Sequence, residues 1–194
     1  MAMTTLNKIA TLILDEDDIS LSKITNTLTP EALERSFEDL LEHFKTNKPD
    51  DTPVLLETIL SVTNLDYSLL CLRTCEDIDT QARMFGVHCA KQVSDMVVDE
   101  RIVKCVNIAE KFALGSMSLS ELYTNYVYRG MFIVNTPGFS LKDDKLLLAM
   151  KSCHSTIINS AAKAALHASA YAFYADHYKA SAYDHSVKFK QLFC

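Results

Sequence analysis

The stretch SAAKAALHASAYAFYADHYKASAYDHS at residues 160–186 contains ten alanines. Within it, Ala161, Ala168 and Ala175 recur every seven residues, and Ala165 and Ala172 fill the turns between them. Alanine combines high helix propensity with a single methyl group, so this spacing predicts a helix that a neighbouring helix can approach closely. We therefore expect these five alanines to form a structural seam at the centre of a helical bundle.

The rest of the chain also has the spacing of helices. The run TPEALERSFEDLLEHF at 29–44 offers Thr29 as an N-cap and Pro30 at the first helical position, followed by apolar residues three and four apart. Ser118 and Glu121 have the spacing of a capping box, and Gly115 suits the position just after a helix end. With four glycines and four prolines in the whole chain, these patterns predict an all-α fold.

The length of 194 residues fits one domain. We expect a single-domain multi-helix bundle of about eight helices around the alanine-rich C-terminal helix, with no sheet. In this prediction, residues 1–75 form an N-terminal helical segment packed on the bundle. Residues 76–194 form the helical core, and the two make one continuous domain.

Composition restricts the classes of partner. The chain has 19 Lys and Arg against 25 Asp and Glu, a formal net charge of −6. Because phosphate-binding surfaces are basic, this balance predicts no nucleic-acid ligand. No uncharged apolar window reaches the ~18 residues that span a bilayer, so no membrane segment is expected. The six cysteines are irregularly spaced, which favours reduced thiols and a cytoplasmic protein.

Three segments between residues 80 and 188 share a pattern with a known family. The first is ARMFGVHCAKQV at 82–93, through Ala82, Phe85, Cys89, Ala90 and Val93. The second is DERIVKCVNIAEKFALGSMSLSEL at 99–122, through Asp99, Arg101, Ala109, Gly115 and Ser118. The third is the alanine-rich helix with its histidine-bearing turn. In these segments the chain resembles the all-helical immunity proteins encoded beside polymorphic toxins in bacteria and in some phages, although His88 stands where the family has an acidic residue.

The resemblance implies a non-enzymatic binding protein that neutralises a protein toxin. Its partner would be a protein, and it could also form homo-oligomers. An acidic surface would suit docking on a basic partner. Acidic residues at helix ends supply such a character, namely the run DEDD at 15–18 with Asp50, Asp51, Asp77, Asp79, Asp99 and Glu100. The same surface would suit an alternative function, a phage-encoded inhibitor of a host or defence enzyme.

A group of polar residues near the C-terminus is the candidate functional cluster. Its members are His167, Asp176, His177, Asp184 and His185. If these side chains converge in a pocket, a third hypothesis is a metal-binding or enzymatic protein that uses them. The simpler explanation is that they cap helix ends and lie on the surface. The chain has no G-x-S-x-G, Walker, dinucleotide-binding or H-E-x-x-H motif, so we expect no enzyme activity, no cofactor and no metal site.

Overall fold

The structure is a computed structural model that describes residues 1–12, 21, 25–97, 100–125, 145–158, 160–175 and 181–194. The chain divides into two compact units. The first comprises Met1–Ile78 with Phe189–Cys194, and the second comprises Asp79–Lys188. The predicted domain division at 75/76 stays a prediction, because compactness of a unit does not show that it folds alone.

The first unit alternates short strands and helices. Its elements are β1 (Met3–Thr5), α1 (Leu6–Ala10), a 3-10 turn (Asn26–Leu28), α2 (Pro30–His43), β2 (Pro53–Leu55), α3 (Leu56–Val62), α4 (Leu65–Cys71) and a second 3-10 turn (Leu72–Thr74). Helix α2 begins where the sequence predicts, because the Thr29 side chain accepts a hydrogen bond from the Ala32 amide at 3.2 Å.

The second unit is a helical bundle. Its elements are α5 (Asp79–Lys91), a 3-10 turn (Ser94–Met96), α6 (Glu100–Ala113), α7 (119–125 as far as described), α8 (Lys145–Ser155), α9 (Ala161–Ala175) and α10 (Ser181–Phe193), of which 189–193 belong to the first unit. Helix α9 packs on α5 and α8, and α6 packs on the same two helices. The all-α prediction is confirmed. No helix in the described ranges is long and apolar enough to cross a membrane.

The prediction of no sheet was wrong in one detail. Strands β1 and β2 form an antiparallel pair in which Thr4 lies opposite Val54, both buried. Each strand is only three residues long and runs directly into a helix. A strand this short has no run of alternating apolar residues, so sequence periodicity does not reveal it.

The two strand–helix pairs are equivalent at an offset of 50 residues. Leu6 and Leu56 are each buried at the first helical position, and each donates its amide back across the sheet. The Leu6 amide reaches the Thr52 carbonyl at 3.4 Å, and the Leu56 amide reaches the Ala2 carbonyl at 3.2 Å. The register and these hydrogen bonds together describe a local two-fold axis through the sheet.

The five seam alanines of α9 are all buried, with Ala165, Ala168 and Ala172 fully excluded from solvent. The closest approach to α5 occurs at Gly86. A Cβ atom on Gly86 would lie 3.0 Å from the Ala164 carbonyl oxygen and 3.4 Å from the Ala165 Cα atom. The two helix backbones therefore pass each other with no room for a side chain at that point.

Candidate functional site

A polar cluster joins three helices of the second unit around His185 of α10, which is 1% exposed. The His185 Nδ1 atom lies 3.1 Å from the Ser169 hydroxyl of α9, and its Nε2 atom lies 2.8 Å from the Oε1 atom of Gln92, the residue that follows α5. An amide oxygen only accepts, so we assign the proton to Nε2 of His185. The Ser169 hydroxyl then donates to Nδ1, and both ring nitrogens of the neutral imidazole are satisfied.

The cluster continues toward solvent through Asp184. Its Oδ2 atom accepts a short hydrogen bond from the Gln92 Nε2 atom and lies 2.9 Å from the His88 Nε2 atom. Because a carboxylate only accepts, it fixes the orientation of the Gln92 amide and leaves the amide oxygen for His185. The His88 and Asp184 side chains are 29% and 49% exposed. The cluster therefore has a buried end at Ser169 and His185 and a solvent end at His88 and Asp184.

Burial controls protonation at the inner end. Removal from water, together with the nearby His88, lowers the pKa of His185 to about 4, and Asp184 opposes the shift. Burial also raises the pKa of the Cys89 thiol, which lies on the same helix as His88. At neutral pH the inner end therefore consists of a neutral imidazole, a hydroxyl and a protonated thiol.

The structure brings together two of the five residues of the predicted cluster, Asp184 and His185. His167 is buried on α9 with its ring 6.2 Å from that of Tyr171. It lies two residues before Ser169, which points the two side chains to nearly opposite sides of the helix. Asp176 and His177 lie outside the described residues.

Sequence reasoning missed Ser169, Gln92 and the role of His88. His88 lies in the last turn of α5 and Gln92 follows the helix four residues later, so the helical spacing could have predicted that the two side chains are near each other. Their pairing with Asp184, more than ninety residues away in the chain, carries no local signal.

The geometry of the cluster is suited to holding α10 against its neighbouring helices. A nucleophile or general base needs a reacting group within reach of it. Ser169 is 2% exposed, and its hydroxyl is engaged with His185. Among the described residues, no group of three or more His, Cys, Asp or Glu side chains is arranged to hold a metal ion. What the geometry supports directly is the attachment of α10 to α5 and α9.

A separate cavity of about 350 Å³ lies in the first unit. It is lined by Lys8, Thr11, Arg73, Thr74, Cys75 and Glu76. The Lys8 ammonium pairs with the Glu76 carboxylate at 3.0 Å, and the Thr11 and Thr74 hydroxyls each donate to a backbone carbonyl. Four of these six side chains, Lys8, Thr11, Thr74 and Glu76, are thus bonded within the chain itself.

Among the described acidic residues singled out in the sequence, Asp50, Asp51 and Asp77 lie between helices and strands, whereas Asp79 and Glu100 begin α5 and α6. Asp51 accepts a hydrogen bond from the Asn7 side chain at 2.8 Å. Hydrogen bonds from the side chain and the amide of Thr52 lower the pKa of the Asp50 carboxyl. Asp77, Asp79 and Glu100 are exposed. The run at 15–18 and Asp99 lie outside the described residues.

The densest acidic surface of the described chain belongs to α2. Its exposed carboxylates are Glu31, Glu34, Glu38, Asp39 and Glu42, against a single Arg35. None of these five forms an ion pair in the part of the chain that the structure describes. Sequence reasoning used this segment only for its apolar spacing and did not weigh its charges.

Comparison of the chain with protein-family models, with curated proteins and with solved structures found no match. The resemblance to immunity proteins over residues 80–188 therefore stays a prediction.

Proposed function

We propose that this protein is a non-enzymatic binding protein with an immunity-like role, which neutralises a protein toxin in the cytoplasm by docking on it through an acidic helical surface. The observation that carries the proposal is the row of exposed carboxylates on α2, none of which is in an ion pair with another described residue. Charges of one sign on one helix face raise the rate of encounter with a surface of opposite sign and disfavour partners of like sign.

The chemistry of this surface favours a basic protein as the partner. A formal net charge of −6 repels nucleic acid, whose phosphates require Lys and Arg. A toxin that acts on nucleic acid would itself carry a basic surface, which an acidic helix could cover. The acidic face of α2 therefore supports an immunity-like function, in which this chain covers the basic surface of a toxin.

The polar cluster favours binding over catalysis. The hydroxyl of Ser169 and the ring of His185 bond to each other below the surface. A substrate would have to displace that hydrogen bond and open the contact between α9 and α10 before it met either group.

The test is capture of the partner followed by a growth assay. The tagged full chain is used to isolate binding proteins from lysate of the source organism, with a tag-only control, and the captured proteins are identified by mass spectrometry. We expect a captured protein that stops bacterial growth when expressed alone and fails to do so when co-expressed with this chain.

Two results would count against the proposal. Capture of nothing above the tag-only control would remove the binding role. Capture of an enzyme that is harmless when expressed, and that loses activity when this chain is added, would favour the inhibitor of a host or defence enzyme instead.

A further inference from the structure

The cavity in the first unit is lined by more cations than anions. Two of its six lining side chains, Lys8 and Arg73, are cationic, and one, Glu76, is anionic. The whole chain, in contrast, carries a formal net charge of −6. A concave surface concentrates the field of the charges that line it, so this cavity offers a local positive potential on an acidic protein.

The two cations are positioned by elements that are bonded to each other. Lys8 lies on α1, which follows β1 directly, and Arg73 lies in the 3-10 turn at Leu72–Thr74. The Thr4 hydroxyl of β1 is 2.6 Å from the Thr74 hydroxyl of that turn. This hydrogen bond joins the two sides of the cavity, so the fold holds both cations at its lining.

The two threonines of the lining leave the recognition of charge to the cations. The Thr11 hydroxyl donates to the Lys8 carbonyl at 2.8 Å, and the Thr74 hydroxyl donates to the Cys71 carbonyl at 2.7 Å. Each hydroxyl has a single proton, which is already used. The side-chain N–H donors of the lining therefore belong to Lys8 and Arg73.

The Glu76 carboxylate competes for Lys8 from the solvent. The two charged groups are 3.0 Å apart, and their side chains are 82% and 50% exposed for Glu76 and Lys8 respectively. An exposed ion pair of this kind contributes about 0–1 kcal/mol. A second anion can therefore replace Glu76 on Lys8 at small cost, and the pair itself shows that Lys8 accepts an oxyanion in this position.

Cys75 reports on the cavity from within its lining. The residue is half-buried, and burial raises the pKa of its thiol to about 11, while the charge of Lys8 opposes the shift. The Lys8 ammonium is thus close enough to act on the sulfur. A thiol with so high a pKa is a weak nucleophile at neutral pH, so Cys75 borders the site without a chemical role.

We propose that this cavity binds a small organic anion whose carboxylate or phosphate group lies between the Lys8 ammonium and the Arg73 guanidinium. The volume of about 350 Å³ is at the lower end of the range of small-molecule sites. An ammonium supplies a point charge and a guanidinium a planar set of N–H donors, which together suit an oxyanion. The site uses no residue of the acidic face of α2 and goes beyond the proposed function.

The test measures how fast N-ethylmaleimide alkylates Cys75 in the folded full chain at one fixed pH. Sodium phosphate and sodium acetate are compared with sodium chloride at the same ionic strength, and each cysteine is followed by peptide mass spectrometry. We expect phosphate or acetate to slow the reaction of Cys75 about threefold or more, because a bound anion covers the thiol and disfavours its thiolate. The half-buried Cys194 is the internal reference and should react equally in all three salts.

Three single-charge variants locate the bound anion. Lys8→Gln should abolish the protection of Cys75, whereas Glu76→Gln should give it at an anion concentration about threefold lower, because no resident carboxylate competes for Lys8. Lys48→Gln, at an exposed position outside the cavity lining, should leave protection unchanged. Protection is the ratio of the rates with and without the anion, so a change in the intrinsic reactivity of Cys75 cancels. Thermal unfolding checks that the variants are folded, as their exposed side chains lead us to expect.

The salt that protects at the lower concentration identifies the anionic group as phosphate or carboxylate. Equal reaction of Cys75 in all three salts would overturn the proposal. Equal slowing of Cys194 would overturn it too, since the effect would not be local to the cavity. The proposal also fails if Lys8→Gln keeps full protection or if Lys48→Gln loses as much.

Discussion

Helix α2 buries Ser36 and Leu40 out of fourteen residues, whereas α9 buries twelve of its fifteen. The difference lies in side-chain size and charge. Helix α9 is rich in alanine, so neighbouring helices can pack closely against several of its sides. Helix α2 carries carboxylates that must stay hydrated, and it therefore remains at the surface.

The same three- and four-residue spacing is found in two different environments in this chain. On α2 the apolar residues with this spacing mark one buried side, and the opposite side is exposed to solvent. On α9 the same spacing of alanines marks only part of a helix that is enclosed nearly all round. The sequence predicted a stripe there, and the structure shows burial that extends beyond it to Leu166 and Ala170.

The largest expected effect is the response of the buried cluster to acid. Burial lowers the pKa of His185 from its ordinary 6.5 to about 4, so the unfolded chain binds a proton at this residue before the folded chain does. Its contribution to the free energy of unfolding is present above about pH 6.5 and lost as pH falls through about 4, a change of about 3 kcal/mol. Urea unfolding at a series of pH values measures it.

Two histidine variants isolate that contribution. His185→Gln should flatten the pH dependence between about pH 6.5 and 4, whatever its effect at neutral pH. His43→Gln, at an exposed position on α2, should leave the curve as it is. If the three proteins lose stability in parallel, the pH response does not come from the buried cluster.

The second effect is overpacking of the alanine helix. Ala168 is fully buried, and its carbonyl accepts a hydrogen bond from the Ser152 hydroxyl at 2.8 Å. Ala168→Leu should lower the free energy of unfolding by about 2 kcal/mol, because the added carbons have no space. The matched change Glu38→Leu on α2 should stay within about 0.5 kcal/mol. Similar melting temperatures for the two variants would remove the distinction between the helices.

A smaller loss is expected at the point of closest backbone approach. Gly86→Ala gains helix propensity of up to about 1 kcal/mol, but its Cβ would lie 3.0 Å from the Ala164 carbonyl oxygen. We expect a net loss of about 1 kcal/mol in urea unfolding, since overpacking outweighs the gain. A more stable variant would mean that α9 can move away from α5 at little cost.

The smallest effect is expected on the surface of α2. Glu34→Gln with Glu38→Gln removes a like-charged pair four residues apart and touches no ion pair of the described chain. Its free energy of unfolding should change by less than about 0.5 kcal/mol. A large loss in thermal unfolding would show that these carboxylates serve the fold, and they would then no longer be free for a partner.

Local chemistry explains which parts of the fold were readable in advance. The Thr29 cap and Pro30 predicted the start of α2, and Ser118 and Glu121 form the predicted capping box, with the Ser118 amide 2.8 Å from the Glu121 carboxylate. Gly115 has the positive φ of 73 that suits the residue after a helix end. Each of these features depends on residues within four positions of each other.

Features that depend on distant residues were not readable. The β1–β2 pair joins residues about fifty positions apart, and each strand is too short to show a period. The cluster joins His185 to Gln92 across 93 positions. The sequence named Asp184 and His185 from their own chemistry, but their partners are set by the packing of α5, α9 and α10.

The separation of β1 and β2 by about fifty residues matters while the chain is being synthesised. Strand β1 leaves the ribosome first, and the strand that pairs with it follows about fifty residues later. Synthesis adds about 5–20 residues per second, so β1 stays unpaired for on the order of several seconds. During this time its backbone N–H and C=O groups are exposed to water and to other chains. A length of three residues keeps that exposed edge short during the wait.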